Sequence, residues 1–360
     1  FLPTAWSVAG ATYVGNVYYV PYTGSVAVGL AIGGDNSDIL WAGNNTNGYY
    51  KFQTNFDVSY IHRLFGFSKQ AVEVDLLTDS PGFLIWAKNR SATGDHHWID
   101  SETGIENYGE SNEVNAFATG STVGSLSTSG YGRIRTGLID DGTTDYASWT
   151  FKKQEGFFDV IKWDGNGTSG RAISHNLGSV PGMIIVKSYV HPSGVGNTDW
   201  VVYHRGLNGG TNPHNYRVFL NTQSAEDTGA FWNNTAPTST QFEVNASQDI
   251  NGSGGKYVAY LFAHDEQSYG DNSDEAIIKC GSYTGNGSDT GPIIDLGFEP
   301  QWVMIKDVSA SSRDWWMFDT MRNWGVVNAS ELKANTTAAE AAVIGAYSWL
   351  KPLSNGFQIT

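Results

Sequence analysis

Histidine and aspartate side chains cluster in one short stretch of this sequence, and both residue types bind metal ions in proteins. The stretch contains Asp95, His96, His97 and Asp100. Neighbouring residues of a β-strand point to opposite faces, so the two histidines would not readily reach one ion. We therefore expect structural roles for these side chains, and the sequence predicts no metal site.

A second set of residues offers the groups of a hydrolytic triad. His204, His264 and Asp265 supply two imidazoles and a carboxylate, but no Gly-x-Ser-x-Gly elbow accompanies them. A repeated copy of the surrounding sequence, described below, has Asp319 where His204 stands. Glycine is abundant, but it never has the spacing of a phosphate-binding loop. The sequence therefore predicts no catalytic residue, no cofactor and no enzyme.

Aromatic side chains are the best ligand candidates, because an exposed aromatic face can stack on a sugar ring. Trp98, Trp200, Trp315 and Trp316 recur in the repeated copies, and Tyr203 lies close to one of them. A core anchor would recur in the same way, since a buried aromatic side chain covers about 150–250 Å². Because adjacent residues of a strand face opposite ways, one of Trp315 and Trp316 should point outward. We predict a glycan-binding site formed by Trp315, Trp316, Trp200 and Tyr203.

The composition limits the class of partner. The chain has 360 residues, with 21 Lys and Arg against 36 Asp and Glu, which gives a net charge of −15. An acidic chain without basic patches is a poor partner for nucleic acid or for an anionic bilayer, so neither is expected. Hydrophobic residues make up 40% of the chain, which is enough for sizeable cores. The single cysteine, Cys280, excludes an intrachain disulfide, and we expect it in a buried apolar place.

The sequence repeats itself over long segments. "SHNLGSVPGMIIVKS" at Ser174–Ser188 shares its pattern with "IDLGFEPQWVMIKD" at Ile294–Asp307. Upstream, "FFDVIKWDGNG" matches "AIIKCGSYTGNG"; downstream, "TDWVVYH" matches "RDWWMFD", in the same order. A more divergent copy precedes both, because "PGFLIWAKNR" matches "PGMIIVKS" and "DYASWTF" matches "KYVAYLF". These segments indicate tandem homologous domains, each with a core of its own.

The matches divide the chain into four parts. Residues 1–67 are an N-terminal β region, either for attachment or as the end of a preceding repeat. Residues 68–155 form a degenerate first repeat, residues 156–268 a second, and residues 274–360 a third that is incomplete at its end.

Inside each repeat the local signals are those of β-strands. Runs such as "FFDVIKW", "GMIIVK" and "KYVAYLF" are short, β-branched and aromatic, and Gly, Asn, Pro or Ser clusters separate them. Only "SAEDTGAFW" and "NTTAAEAAVIGAYSW" could support a short helix. The predicted fold is all-β, with tandem antiparallel β-sandwich domains of a lectin-like jelly-roll type.

The segments "GFLIWAKNRSATGDHHWIDS", "LGFEPQWVMIKD" and "NTTAAE", followed by "SNGFQIT", resemble a known family. The chain is similar to the uncharacterised repeat domain of structural proteins from marine tailed bacteriophages, including cyanophages. The resemblance runs from about Gln70 to Thr360 and is most specific in the third repeat. The first repeat departs from the pattern, since Gly82 stands where a proline is expected. The resemblance supplies no catalytic residues.

The resemblance implies a virion protein at the particle surface or on the tail. It would be a subunit of a tail fibre or of a capsid or tail appendage, with a role in assembly and in host-surface adhesion. The implied partners are other virion proteins, further copies of the chain with a trimer favoured, and host cell-surface glycan. Two alternatives stay open: a carbohydrate-active depolymerase that uses these units as glycan-binding modules, and a secreted lectin. Two facing carboxylates about 5–9.5 Å apart in a cleft would favour the depolymerase.

The third repeat has no counterpart of the strand "KYVAYLF" after "GFQIT". A sandwich without this strand would have an unpaired edge. We therefore expect either that the polypeptide continues beyond Thr360, which we favour, or that a neighbouring subunit donates a strand.

Overall fold

The fold is built from β-strands. A computed structural model of the chain describes residues 12–14, 17–19, 42–45, 48–51, 82–120, 125–127, 130–132, 144–270, 272–288, 290–322, 324, 330–342 and 350–359. Within these residues all strands pair antiparallel, and the only helical elements are short 3-10 turns at Leu207–Gly210, Pro213–Asn215, Ala230–Trp232 and Thr320–Arg322. The predicted all-β, antiparallel fold is therefore confirmed. The two segments expected to support a helix contain no α-helix in their described part, and no described helix is long and apolar enough to cross a membrane.

Residues 1–73 form a compact unit of their own. Its described strands make two hairpins: β1 (Thr12–Val14) with β2 (Val17–Tyr19), and β3 (Ala42–Asn45) with β4 (Gly48–Lys51). The role of the N-terminal β region stays a prediction.

Residues 74–360 form a second compact unit that contains the described strands of all three repeats. The strands of the first repeat are β5 (Phe83–Asn89), β6 (His96–Asp100), β7 (Asn107–Glu110), β8 (Ala118–Thr119), β9 (Ser125–Ser127), β10 (Gly130–Gly132) and β11 (Tyr146–Lys152). Those of the second are β12 (Phe158–Asp164), β13 (Arg171–Ser174), β14 (Met183–Val190), β15 (Val201–His204), β16 (Tyr216–Phe219), β17 (Asp227–Thr228), β18 (Gln241–Val244) and β19 (Lys256–Phe262). Those of the third are β20 (Ile293–Asp295), β21 (Trp302–Lys306), β22 (Trp315–Asp319), β23 (Ser330–Lys333), β24 (Ala341–Ala342), β25 (Leu350–Leu353) and β26 (Gly356–Ile359).

A four-stranded meander recurs in every repeat. It consists of β5–β8 in the first repeat, β14–β17 in the second and β21–β24 in the third. In the first two repeats a closing strand then pairs with the free edge of the meander's first strand, β11 with β5 and β19 with β14. One strand order in three places is what tandem homology predicts, while the exact boundaries of the repeats stay predictions.

A smaller sheet covers the outer face of the meander in the second and third repeats. In the second repeat β13 pairs with β18, and Ile173 and Phe242 from this pair pack against Ile184 of β14. In the third repeat the sheet β20–β26–β25 places Phe357 against Phe318 of β22. Both repeats are therefore two-layer sandwiches with an apolar core between the layers.

The inner faces of the three meanders share one further core, which the repeat pattern does not predict. Trp86 and Trp98 from the first repeat, Trp200 and Tyr260 from the second and Trp315 from the third belong to this core. Ring centroids of Trp98 lie 4.6 Å from Trp86, 5.1 Å from Trp200 and 4.8 Å from Tyr260. Aromatic pairs at these distances contribute about 0.5–1.5 kcal/mol each beyond the area that they bury. The shared core explains why residues 74–360 are one compact unit.

The third meander differs from the others at one edge. Among the described residues no strand pairs with β21 on the side away from β22, where β11 and β19 pair in the other repeats. In the second repeat Trp163 of β12 stacks on Tyr257 of β19 and is 7% exposed. The sequence counterpart of Trp163 in the third repeat, Tyr283, is 38% exposed. The expected open edge is therefore present in the described part, and the strand that covers it stays a prediction.

Amide hydrogen exchange tests whether the edge of β21 is open. The carbonyl of Gln301 accepts from Thr320 after β22, so backbone alternation turns the N–H of Met304 away from β22. Ile185 has the matching place in β14 and pairs with Tyr260 of β19. We expect the amide of Met304 to exchange at least about a hundredfold faster than that of Ile185. Equal protection of the two amides, measured by NMR, would show that the edge is covered.

Candidate functional site

Strand register shows which residues correspond between repeats. Near one end of each meander, a lysine of the first strand lies opposite an aromatic residue at the start of the second strand. The pairs are Lys88 with His96, Lys306 with Trp315 and, one step beyond the pairing of Val186 with Val201, Lys187 with Trp200. The sequence pattern grouped Trp98 with Trp200 and Trp315, and the register corrects this: His96 is their counterpart.

These three ring side chains connect the repeats in a closed circle. In each case a ring nitrogen hydrogen-bonds to the backbone carbonyl of the last residue in the third strand of another repeat. The bonds are Trp200 Nε1 to Glu110 O at 3.0 Å, Trp315 Nε1 to Phe219 O at 2.9 Å and His96 Nε2 to Lys333 O at 3.0 Å. The second repeat thus contacts the first, the third contacts the second, and the first contacts the third. We call these contacts the ring-nitrogen circle.

His96 takes the place of a tryptophan because its second nitrogen is fixed. Trp86 Nε1 donates to His96 Nδ1 at 2.8 Å, so the proton of the neutral imidazole lies on Nε2, where it can be donated to the carbonyl of Lys333. Burial holds the pKa of His96 well below its usual value, so the ring stays neutral. His96, held by the hydrogen bond from Trp86, therefore has the same role in the first repeat as Trp200 and Trp315 have in the other two.

A second circle of backbone bonds runs in the opposite direction. In each repeat the residue before the fourth strand donates its N–H to a carbonyl at or just beyond the end of the first strand of the next repeat. The bonds are Phe117 N to Tyr189 O at 3.2 Å, Glu226 N to Val308 O at 2.8 Å and Glu340 N to Arg90 O at 2.8 Å. Every repeat therefore bonds to both of the others through its main chain, and a backbone donor and acceptor are paired at each of the three contacts.

An Asp–Asn pair fixes the start of the second strand in every repeat. The amide of each asparagine donates to the aspartate, and its oxygen accepts the N–H of the following ring residue. The pairs are Asp95 with Asn112 at 2.7 Å, Asp199 with Asn221 at 2.8 Å and Asp314 with Asn335 at 2.9 Å. Two of these asparagines open the segments "NTQSAE" and "NTTAAE", whose recurrence is thus explained by this bond and not by a helix N-cap.

Buried lysines support the same contacts. Lys187 is fully buried, and its ammonium donates to Thr198 O at 2.5 Å and to Val114 O of the first repeat at 3.0 Å. Burial lowers the pKa of Lys187 to about 7 and that of Lys88 to about 8. The ammonium groups of both lysines donate hydrogen bonds to backbone carbonyls, which gives these side chains a structural role.

An ion pair and a cation–π interaction strengthen the contact between the first and third repeats. Arg322 is 2% exposed and donates to Asp319 at 2.7 Å, and its guanidinium lies 5.5 Å from the ring centre of Trp149. Arg90 of the first repeat and Glu340 of the third make two parallel bonds at 2.8 and 2.9 Å. Asp319, which stands where His204 stands in the second repeat, is therefore an ion-pair partner of Arg322.

The histidines that suggested a metal site lie apart. His96 faces the shared core and bonds to Trp86. His97 lies on the opposite face of β6, where its ring centroid is 5.2 Å from that of Tyr108. Both ring nitrogens of His97 lack a hydrogen-bond partner among the described residues, and burial lowers its pKa to about 4. Within that same part of the chain no group of three or more His, Cys, Asp or Glu side chains is placed to hold a metal ion.

The triad candidates bind separate partners. His204 Nδ1 accepts from the N–H of Gly206, and His264 Nδ1 accepts from the N–H of Cys280. Asp265 lies 3.3 Å from the ammonium of Lys279. Cys280 is buried as expected, its thiol donates to the carbonyl of Ala263, and burial raises its pKa to about 12.

The predicted glycan residues have different surroundings. Trp200 and Trp315 are buried in the ring-nitrogen circle, and Tyr203 is 4% exposed at the wall of a surface cavity. Trp316 is half-buried, with the ammonium of Lys333 4.4 Å from its ring centre. The structure thus gives Trp200 and Trp315 a role in joining repeats, and of the four residues only Trp316 is not buried. Glycan binding stays a prediction.

Comparison with known proteins gives a family without an assigned function. The sequence matches the family described as domain of unknown function (DUF7483) over residues 69–360. The chain belongs to this family. No curated protein and no solved structure matches it. The matched region of this DUF7483 member contains all three repeats and the ring-nitrogen circle.

Replacing Trp200 with phenylalanine tests the circle. W200F retains an aromatic ring in the core, but it leaves the partly buried carbonyls of Glu110 and Glu113 without their indole donor. We expect a loss of about 1–3 kcal/mol in the free energy of unfolding beyond that caused by the smaller ring. W163F is the matched control, because the indole N–H of Trp163 is buried without a partner among the described residues. Equal losses for both variants in urea titrations would contradict a role of the N–H.

Replacing His97 tests the unpaired imidazole. In the unfolded chain histidine titrates near its usual value of 6.5, and in the fold the pKa of His97 is about 4. The unfolded state therefore binds more protons between these values, and stability falls as pH decreases from about 6.5 to about 4. Glu110, whose pKa burial raises to about 7, has the opposite pH dependence and lies 3.9 Å from Nε2 of His97, so the comparison is made in chains that carry E110Q.

H97F should therefore lose less stability than the same chain with His97 over this pH range. It should also be no less stable at pH 7, since it removes two unsatisfied polar atoms. Urea titrations at several pH values measure both effects, with H214F as the control at a partly exposed histidine. An unchanged acid loss in H97F would rule out His97 as its source.

Proposed function

We propose that the chain is a structural subunit of a bacteriophage particle, carried on a tail fibre or on a capsid or tail appendage. Support comes first from the sequence segments that resemble repeats of marine-phage structural proteins. It comes secondly from the use of residues within those segments. His96, Trp200 and Trp315 form hydrogen bonds that join the repeats. Residues with this role favour a function in assembly over a function in catalysis.

The observation that carries the proposal is the closed circle of three repeats. In an open row of repeats each unit contacts only its sequence neighbours, and the terminal units have one partner each. Here the first and third repeats also bond to one another, through His96 with Lys333 and Arg90 with Glu340. Local opening of any repeat must therefore break bonds to two others, which raises the free energy of opening. A module of this kind suits a protein exposed on a particle.

The proposed partners are other virion proteins and further copies of the chain, with a trimer favoured. The proposed location is the particle surface or the tail. The net charge of −15 agrees with an exposed position, because charge far from zero keeps proteins soluble and separate.

Purified particles test this function. Particles of a phage that encodes the chain should contain it in a fixed ratio to the major capsid protein, by quantitative mass spectrometry after density-gradient purification and a high-salt wash. Gold-labelled antibody should bind one type of appendage in electron micrographs. The matched control is the soluble fraction of the same lysate, which should be depleted of the chain.

Two results would refute the proposal. One is recovery of the chain only in the soluble fraction, which would favour a secreted lectin. The other is shortening of host-surface polysaccharide after incubation with the purified chain, which would favour the depolymerase.

A further inference from the structure

The second repeat carries an open cavity of about 430 Å³ on its surface. Polar side chains of different chemistry line it beside Pro181: Ser179, Tyr203, Arg205, His264 and Glu266. The volume lies within the range of about 300–1,000 Å³ that is common for small-molecule sites. We call this cavity the Tyr203 pocket.

Ser179 has a buried hydroxyl at the wall of the Tyr203 pocket. The residue is 7% exposed, and its Oγ has no hydrogen-bond partner among the described residues. Burying a hydroxyl without a hydrogen bond is unfavourable, and native structures keep few such groups. The Oγ is shielded from solvent, so a ligand in the pocket reaches it only if the side chain turns toward the pocket.

The other repeats show which features of the pocket the fold does not need. The register of the second strand places Phe318 of the third repeat and Ile99 of the first at the position of Tyr203. In the matched sequences Phe298 of the third repeat stands at the position of Ser179. The fold therefore accepts an apolar side chain at the position of Tyr203 and needs no hydroxyl there. The hydroxyl of Tyr203 is a property of the second repeat and needs a separate explanation, whereas the first repeat has Ser80 at the position of Ser179.

Tyr203 and His264 are arranged to donate hydrogen bonds. The hydroxyl of Tyr203 has no hydrogen-bond partner among the residues that the structure describes, and burial raises its pKa to about 12, so it stays protonated. His264 accepts the N–H of Cys280 on Nδ1, which leaves the proton of the neutral ring on Nε2. Both groups are therefore donors to a ligand at physiological pH.

Arg205 and Glu266 supply one charge of each sign. Arg205 is exposed and makes no ion pair with a described residue, and Thr320 stands in its place in the third repeat. A guanidinium and a carboxylate can each make two parallel hydrogen bonds, one as donor and the other as acceptor. Adjacent hydroxyl groups on a ring match this geometry. With one positive and one negative side chain the pocket has no net preference for an anion, and the net charge of −15 disfavours one further.

We propose that the Tyr203 pocket binds one neutral sugar unit in its pyranose form. Hydroxyl groups of the sugar bond to the hydroxyl of Tyr203, to Arg205 and to Glu266, and its C–H face lies against the exposed side chain of Val180. This inference deepens the proposed function by naming a ligand class for host-surface adhesion. It can be tested apart from that function, because the isolated chain binds the sugar whether or not it is a particle component.

Titration of the full chain with methyl glycosides tests the proposal. The probes are the methyl pyranosides of glucose, galactose and mannose, and binding is followed by saturation-transfer NMR. At least one probe should bind saturably. Y203F should weaken binding by about three- to tenfold through loss of one hydrogen bond, and R205T by at least about tenfold through loss of charged ones. Both variants install residue types that the third repeat has at these positions, Phe318 and Thr320, so folding is expected.

R313T is the matched control, since it removes an exposed arginine elsewhere on the chain. It should bind the probe as the natural chain does. Three results would overturn the proposal: no saturable binding of any of the three glycosides, unchanged affinity in both Y203F and R205T, or tighter binding of a uronic acid or sulfated sugar than of the neutral ones. A chain that binds the sugar but is missing from particles would retain this inference and remove the virion function.

Discussion

Hydrogen bonds from ring nitrogens to backbone carbonyls hold the three repeats together, and the other contacts are arranged around them. The third strand of each meander ends at a contact with another repeat, where its last carbonyl needs a donor. The donor must come from another repeat, so it has to cross the shared core. An indole fills apolar space and carries its single N–H at one edge, which suits both needs. Trp200 and Trp315 donate through their indole N–H. His96 donates through Nε2, and Trp86 fixes its ring by donating to Nδ1.

The same constraint explains why charged groups are buried in an acidic protein. Loops meet between repeats, and their carbonyls are shielded from water. Lys187 reaches them from inside through its apolar stem, with its ammonium on carbonyls of two repeats. The unfavourable burial of the charge is reflected in the lowered pKa of this lysine. Arg322 is buried under similar conditions, but Asp319 provides a carboxylate that compensates its charge.

Local patterns predicted the strands well and the contacts between repeats poorly. The β-branched runs and the Gly-rich turns indicate an all-β fold, and the matched segments indicate a shared strand order. The shared core could not be read from the sequence, because an apolar face packed on another repeat has the same alternation as one packed on its own second layer. Trp98 was grouped with the wrong residues for a related reason, since only strand register shows that His96 corresponds to Trp200. Ser179 gave no signal at all, because a buried and unpaired hydroxyl is visible only in three dimensions.

The circle of repeats has one joint that differs in kind from the other two. The ring-nitrogen bonds of Trp200 and Trp315 join residues 90 and 96 positions apart, whereas that of His96 joins residues 237 apart. The longer loop adds only about 1 kcal/mol of closure entropy, since the cost grows with the logarithm of length. The kinetic effect is larger, because distant segments meet late during folding. We therefore expect the joint between the first and third repeats to form last during folding. Once formed, it is held by the ion pair of Arg90 with Glu340 and by the contact of Arg322 with Trp149, so the module should close late and reopen slowly.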